Sequence, residues 1–187
     1  MSKPGLFYLE KILSSLSRND PAGLRETANA AISAAALENN STKAKLAVIA
    51  YALTKLLQKE HFQKEPGWKA FKTQVGKKIL NAILAAKKED TSQMSQILIS
   101  ISDRISMVDR EFGNYYENLV EKARVKQAST AYAYGLSLGQ AAALTGCNQK
   151  ELFNYIGYTK MHEETPVLGS IEDRVKRLQE ILKPGSA

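Results

Sequence analysis

From Met94 to Leu119 the chain places an apolar residue at strictly alternating steps of four and three: Met94, Leu98, Ile101, Ile105, Val108, Phe112, Tyr115 and Leu119. An α-helix completes a turn every 3.6 residues, so this spacing stacks all eight side chains along one narrow seam. A seam of that length has to be covered by another helix. In heptad terms Leu98, Ile105, Phe112 and Leu119 take the a positions, and Met94, Ile101, Val108 and Tyr115 the d positions. Arg104 and Asp109 flank them where charges suit pairing between helices. Two covers satisfy the pattern: a second copy of the chain, which makes this a dimerisation helix, or the chain's own N-terminal helices. Gly113 interrupts the run off the seam, as a weak point or a place of close approach.

Ahead of the seam, helical punctuation divides the N-terminal part. A first helix is expected over about Gly5 to Leu16. Asp20 caps a second, with Pro21 at its first position, that runs to about Glu38 and is followed by a break at Asn39-Asn40-Ser41. A third, over about Thr42 to His61, carries Leu46, Ile49, Ala50, Leu53, Leu56 and Leu57 on one broad face. Pro66 is read as opening a fourth that continues to about Lys88. Alanines 28, 30, 31, 34, 35 and 36 let helix axes approach closely, which suits a packed core helix. Trp68 and Phe71 read as core anchors. No strand pattern competes, so the fold class is all-α: an N-terminal helical bundle (1–89), a long connecting helix (90–134) and a C-terminal head (135–187).

The head holds the stretch most specific for function, Leu138 to Gly157, which reads as two short helices joined by a tight turn. Ala142 is small enough to admit the second helix, and Gly146, four residues on, supplies left-handed backbone for the turn. Cys147 is a small apolar plug, and Leu144, Leu152 and Ile156 point inward with Tyr155 over the seam. Ser137 with Gln140, and Asn148 with Glu151, have the spacing of capping boxes at the two helix starts. Gly135 and Gly157 are placed to close the preceding and following helices. Ala142, Gly146, Cys147 and Asn148 match the A-x-x-x-G, small apolar, polar cap pattern of bacterial and archaeal transcriptional regulators, and the stretch resembles their helix-turn-helix. The resemblance covers twenty residues or so and leaves an ordinary helical hairpin as the alternative.

What it implies is double-stranded DNA binding, with the second helix in the major groove. Outward positions are then Asn148, Gln149, Lys150, Phe153 and Asn154, with Tyr158 and Lys160 continuing toward the backbone and Arg124 and Lys126 leading into the head. Gln149 and Asn154 have the groups for bidentate pairs with adenine, Lys150 for guanine or a phosphate, and Phe153 for a thymine methyl. Glu151 repels phosphate unless it serves as a cap or accepts from cytosine. An outward Phe153 is equally explained by packing within the protein. Were the seam a dimer contact, two heads about 34 Å apart would read successive major grooves. Beyond the head, Ser170 with Asp173 starts an expected last helix, Ile171 to Leu182.

A net charge of +7 suits a polyanionic partner, but its distribution is uneven. Residues 1–90 hold 15 Lys or Arg against 8 Asp or Glu, whereas residues 91–187 hold 11 of each. Lys69, Lys72, Lys77, Lys78, Lys87 and Lys88 crowd the fourth helix, either as a phosphate track or as a solvated face. They keep RNA binding open as an alternative, although stacking aromatics are not interleaved with them. The neutral C-terminal half and Phe153 keep open a helical protein-interaction module.

Catalysis is not expected. His61 and His162 stand far apart, and the chain has no metal-ligand spacing, phosphate-cradling glycine loop or nucleophile motif. His162-Glu163-Glu164 reads as a solvated loop, Tyr132 and Tyr134 as packing, and Cys147 as a buried plug in preference to a redox sensor. No cofactor or metal is therefore called for. The lack of a signal-like start or a membrane-length apolar run, with one cysteine, leads to an expectation of a cytoplasmic protein.

Overall fold

The computed structural model describes the backbone of residues 5–112 and 118–162, and within these ranges the side chains of residues 5–111 and 118–158. The expected helix over 171–182, Gly113 and Tyr115 of the seam run, and the side chains of Phe112, Lys160 and His162 lie outside the described residues. Among the described residues the elements are all helical: α1 (Leu6–Ser17), α2 (Pro21–Glu38), α3 (Ser41–Gln58), α4 (Glu60–Gln63), α5 (Trp68–Lys87), α6 (Thr91–Phe112), α7 (Leu119–Ala133), α8 (Leu138–Thr145) and α9 (Gln149–His162).

Local chemistry accounts for most of the boundaries. The Gly23 N–H donates to Asp20 Oδ1 at 2.9 Å, capping α2. A Cβ on Gly23 would lie 2.4 Å from Asp20 Oδ2 and 2.7 Å from Ser15 Oγ, so a side chain there would have to push the capping carboxylate aside. Asn39, at φ 49°, turns the chain out of α2 in left-handed geometry, and Asn40 Oδ1 accepts from Lys43 N–H at 3.0 Å to start α3. Two expected boundaries differ. Extended backbone at Lys59 (ψ 92°) ends the third helix at Gln58, leaving His61 in the separate turn α4. Pro66 precedes α5 without opening it, and the helix starts at Trp68.

The seam is closed within the chain. Met94, Leu98, Ile101, Ile105 and Val108 from α6, and Leu119 from α7, are all buried in one core with Leu9 and Ile12 of α1, Leu46, Leu53 and Leu56 of α3, and Phe71, Val75 and Ile79 of α5. Of the two covers expected for the seam residues assigned to dimerisation, the described ones have the chain's own: α6 lies against α5 and α3 in that core. Arg104 likewise turns inward to its own neighbours. Its Nε donates to Gln74 Oε1 on α5 at 2.9 Å, and its guanidinium lies 5.9 Å from the Phe71 ring centroid.

Nor does one continuous helix run from 90 to 134. The heptad spacing carries across the point where α6 ends at Phe112 and α7 begins at Leu119, so Leu119 fills the same core from a different helix. Asn118 precedes α7 in left-handed geometry, φ 43°, and gives no side-chain cap. Asp109, ten residues back, supplies it: Leu119 N–H donates to Asp109 Oδ2 at 3.0 Å, and Lys59 Nζ lies 3.4 Å from Oδ1. Read from sequence as a flanking charge, Asp109 is 2% exposed.

A second core is built largely from alanine. Ala31, Ile32 and Ala35 of α2, Ala44 and Ala47 of α3, and Ala128 and Ala131 of α7 meet Ala141, Ala142 and Leu144 of α8 and Leu152 of α9. The alanine run is a close-packing surface, and what approaches it includes α8. α8 and α9 thus share a core with α2 and α3.

Candidate functional site

The α8–α9 pair is held at its start by a reciprocal cap. Gln140 N–H donates to Ser137 Oγ at 3.2 Å, and Ser137 N–H donates to Gln140 Oε1 at 2.9 Å. Gly135, at φ 104°, closes α7 just before it. At the turn, Gly146 has φ 72° and ψ 26°, and both its N–H and that of Cys147 donate to the Ala142 carbonyl, at 2.8 and 3.2 Å. Asn148 Oδ1 then accepts from Lys150 N–H at 2.8 Å and Glu151 N–H at 3.3 Å. Asn148 does this alone, since among the described residues Glu151 returns no bond to it; the second capping box is half formed. Gly157 does not close α9, which continues in right-handed geometry to His162.

The pair therefore has two distinct faces. Leu152 is fully buried, Ala142 and Leu144 nearly so, and Cys147, Tyr155 and Ile156 are half-buried. Asn148, Gln149, Lys150, Glu151, Phe153, Asn154 and Tyr158 are exposed, Phe153 by 65% and Tyr158 by 71%. Lys150, Asn154 and Tyr158 follow one another at four-residue steps and form a single stripe, with Phe153 beside it. Gly157 completes this face. A Cβ built on it meets no described atom within 4 Å, so neither space nor backbone geometry requires glycine there.

Arg124 and Lys126 are not brought onto this stripe. Arg124 pairs with Glu121 one turn earlier on α7, and the Lys126 ammonium lies 5.9 Å from the Tyr155 ring centroid. Burial pushes the Cys147 thiol above the ordinary cysteine range, partly offset by the Thr145 side chain, as suits a packing residue.

The lysines of α5 do not line up as a track. Lys72 Nζ bonds to Asn19 Oδ1 at 2.5 Å on the α1 side, and burial lowers its proton affinity. Lys78 Nζ bonds to Ser100 Oγ at 3.0 Å on the α6 side, whereas Lys69, Lys77, Lys87 and Lys88 face solvent.

A further set of basic and aromatic side chains surrounds Tyr51, and sequence reading missed it. Tyr51 on α3 is half-buried. Its phenol is pushed above the usual tyrosine range by burial, with Lys126 of α7 and Arg25 of α2 opposing that shift and Tyr155 of α9 adding to it. Lys55, one turn along α3, holds its ammonium 5.5 Å from the Tyr51 ring centroid. The only sequence signal was the four-residue spacing of Tyr51 and Lys55; Arg25, Lys126 and Tyr155 join them through the packing of α2, α7 and α9.

Among the described residues no group of three or more His, Cys, Asp or Glu is placed to hold a metal ion, and no helix is long and apolar enough to cross a membrane. No protein-family profile, curated protein or solved structure matches this chain.

Proposed function

We propose that the chain binds double-stranded DNA as a transcriptional regulator, with α8–α9 as a helix-turn-helix and α9 lying in the major groove. The observation that carries this reading is the two-faced α9: Leu152 anchors it in the alanine-rich core while Gln149, Lys150, Phe153 and Asn154 stand exposed on its N-terminal half. Recognition helices present that part to base edges. A major groove about 12 Å wide admits an α-helix. Gln149 and Asn154 serve as amide readers of adenine, Lys150 as a guanine or phosphate contact, and Phe153 as an apolar partner for a thymine methyl. Glu151 is exposed on the same half with only its N–H given to the Asn148 cap, so its carboxylate repels phosphate unless it accepts from a cytosine amino group.

The exposure of Phe153 and Tyr158 also favours a second reading, a helical protein-binding surface. Salt separates the two. Neutralising phosphates releases counterions, so duplex affinity falls steeply as salt rises, whereas a neutral protein interface has no such slope. Binding to random duplex DNA is measured across a salt series for the intact chain and for a Gln149→Ala, Lys150→Ala, Asn154→Ala variant. The DNA reading expects salt-sensitive binding that the variant weakens at least tenfold. Equal binding by both proteins removes α9 from the interface, and no binding by either favours the protein-interaction reading.

A further inference from the structure

We propose that the outer face of α5, where it meets α1, is a docking cleft for an acidic amphipathic helix of a partner protein. Leu80 and Leu84, one turn apart on that face, are 49% and 56% exposed. One turn before Leu80 stands Gly76, and a Cβ built on it would meet only Leu13 Cδ1 of α1, at 4.0 Å. That is ordinary van der Waals distance, and the Gly76 backbone is not left-handed, so the fold does not require glycine there. A helix-interior glycine nevertheless costs about 0.5–1 kcal/mol relative to alanine. What it leaves is a notch between half-buried Leu13 and exposed Leu80, continuous with Leu84. An apolar side chain from a helix laid along the cleft can enter that notch.

Charge selects the occupant. α5 holds Lys69, Lys72, Lys77, Lys78 and Lys87 and no Asp or Glu, while Glu10 and Lys11 of α1 cancel. Lys72 and Lys78 turn to Asn19 and Ser100, but Lys69 two turns before Gly76, Lys77 beside it and Lys88 one turn past Leu84 are exposed. Leucines rimmed by cations complement a helix that carries apolar residues at steps of three and four with carboxylates beside them. A second copy using the same face would set lysine against lysine. A membrane would gain from two half-exposed leucines less than from one acyl chain, which itself anchors only marginally. None of these residues lies on α8 or α9, so the inference stands apart from the DNA reading.

The probe is a fluorescent peptide of about five helical turns, with leucine at alternating steps of three and four and glutamate elsewhere, titrated with the full-length chain at about 0.15 M salt. Wild type should bind it saturably, and a Leu80→Gln, Leu84→Gln variant at least about tenfold more weakly. A Lys69→Glu, Lys77→Glu variant should also lose about tenfold, whereas Arg110→Glu, Lys150→Glu, an equal change of net charge on α6 and α9, should lose less than about threefold. Gly76→Ala fills the notch and should weaken binding by about threefold or more without lowering the melting temperature, which keeps the test decisive should the leucine variant melt early. Absence of saturable binding overturns the cleft, as does unchanged affinity in the leucine variant or in Gly76→Ala. Equal losses in the two charge variants, or equal binding of a peptide with lysine in place of glutamate, overturn the acidic occupant. A wild-type dimer in sedimentation that the leucine variant turns into a monomer overturns it too, by giving the face to a second copy.

Discussion

Replacing Asp109 tests whether α7, and the α8–α9 pair that follows it, depends on a cap delivered from another helix. Asp109 accepts from the Leu119 N–H at 3.0 Å, sits 3.4 Å from Lys59 Nζ and is 2% exposed. Asp109→Ala removes the acceptor for a buried helix-terminal N–H, which costs about 1–3 kcal/mol when left unsatisfied. It also removes the carboxylate facing a largely buried lysine. Because the carboxylate serves both partners, the two losses are not simply additive, and about 2–4 kcal/mol is the expected total. Asp109→Asn keeps an oxygen for Leu119 and loses only the charge, so it should cost about 1–2 kcal/mol. For a chain of this size each kcal/mol moves the melting temperature by about 2–4 °C, so Asp109→Ala should melt about 4–16 °C lower. Urea unfolding followed by far-ultraviolet circular dichroism gives the free energies from midpoint and slope. An Asp109→Ala variant within about 0.5 kcal/mol of wild type, the scatter of ordinary surface substitutions, would refute the cap. A loss equal to that of Asp109→Asn would show that charge, not the bond to Leu119, is what matters.

Two further outcomes test the α8–α9 pair. Burial raises the Cys147 thiol pKa, so at pH 8 less of it is thiolate than in free cysteine; iodoacetamide should alkylate it more slowly than a model thiol, recover the model rate in urea, and accelerate as pH rises further. Native alkylation at the model rate at pH 8 would contradict this. Gly157→Ala should stabilise the fold by about 0.5–1 kcal/mol, because a helix-interior glycine is replaced where no described atom crowds the new Cβ. If α9 lies in the groove, the same methyl should weaken duplex binding, moving stability and affinity in opposite directions. A lower melting temperature would show that the site is not open.

What was legible in the sequence was chiefly what is local. Asp20 with Pro21, and Ser137 with Gln140, act on backbone within three residues of themselves, so spacing alone revealed them. Gly146 was legible for the same reason, since a left-handed residue four positions after Ala142 leaves little choice of side chain. The seam was legible as a face but not as a contact. A four-three spacing states that an apolar stripe needs cover without stating whose helix supplies it, and the order of α5 before α6 lets the chain supply its own. The Asp109 cap was illegible because donor and acceptor are ten residues apart across a break that the heptad spacing does not register.

The charge count along the chain hides a contact for a related reason, and that contact bears on function. Charge, counted along the sequence, put the whole excess in the first ninety residues and the reading helix in the neutral half, which set the two against each other. Alanine in α2 and α3 removes that opposition. Side chains this small carry no sequence signal of a partner, yet they let α8 settle directly on both helices, with Leu152 of α9 closing the same core. Enlarging Ala31 or Ala35 should for that reason unseat α8 and α9 and lower the melting temperature, and, if α9 lies in the groove, weaken duplex binding with it, which a solvated lysine face on α5 would not do.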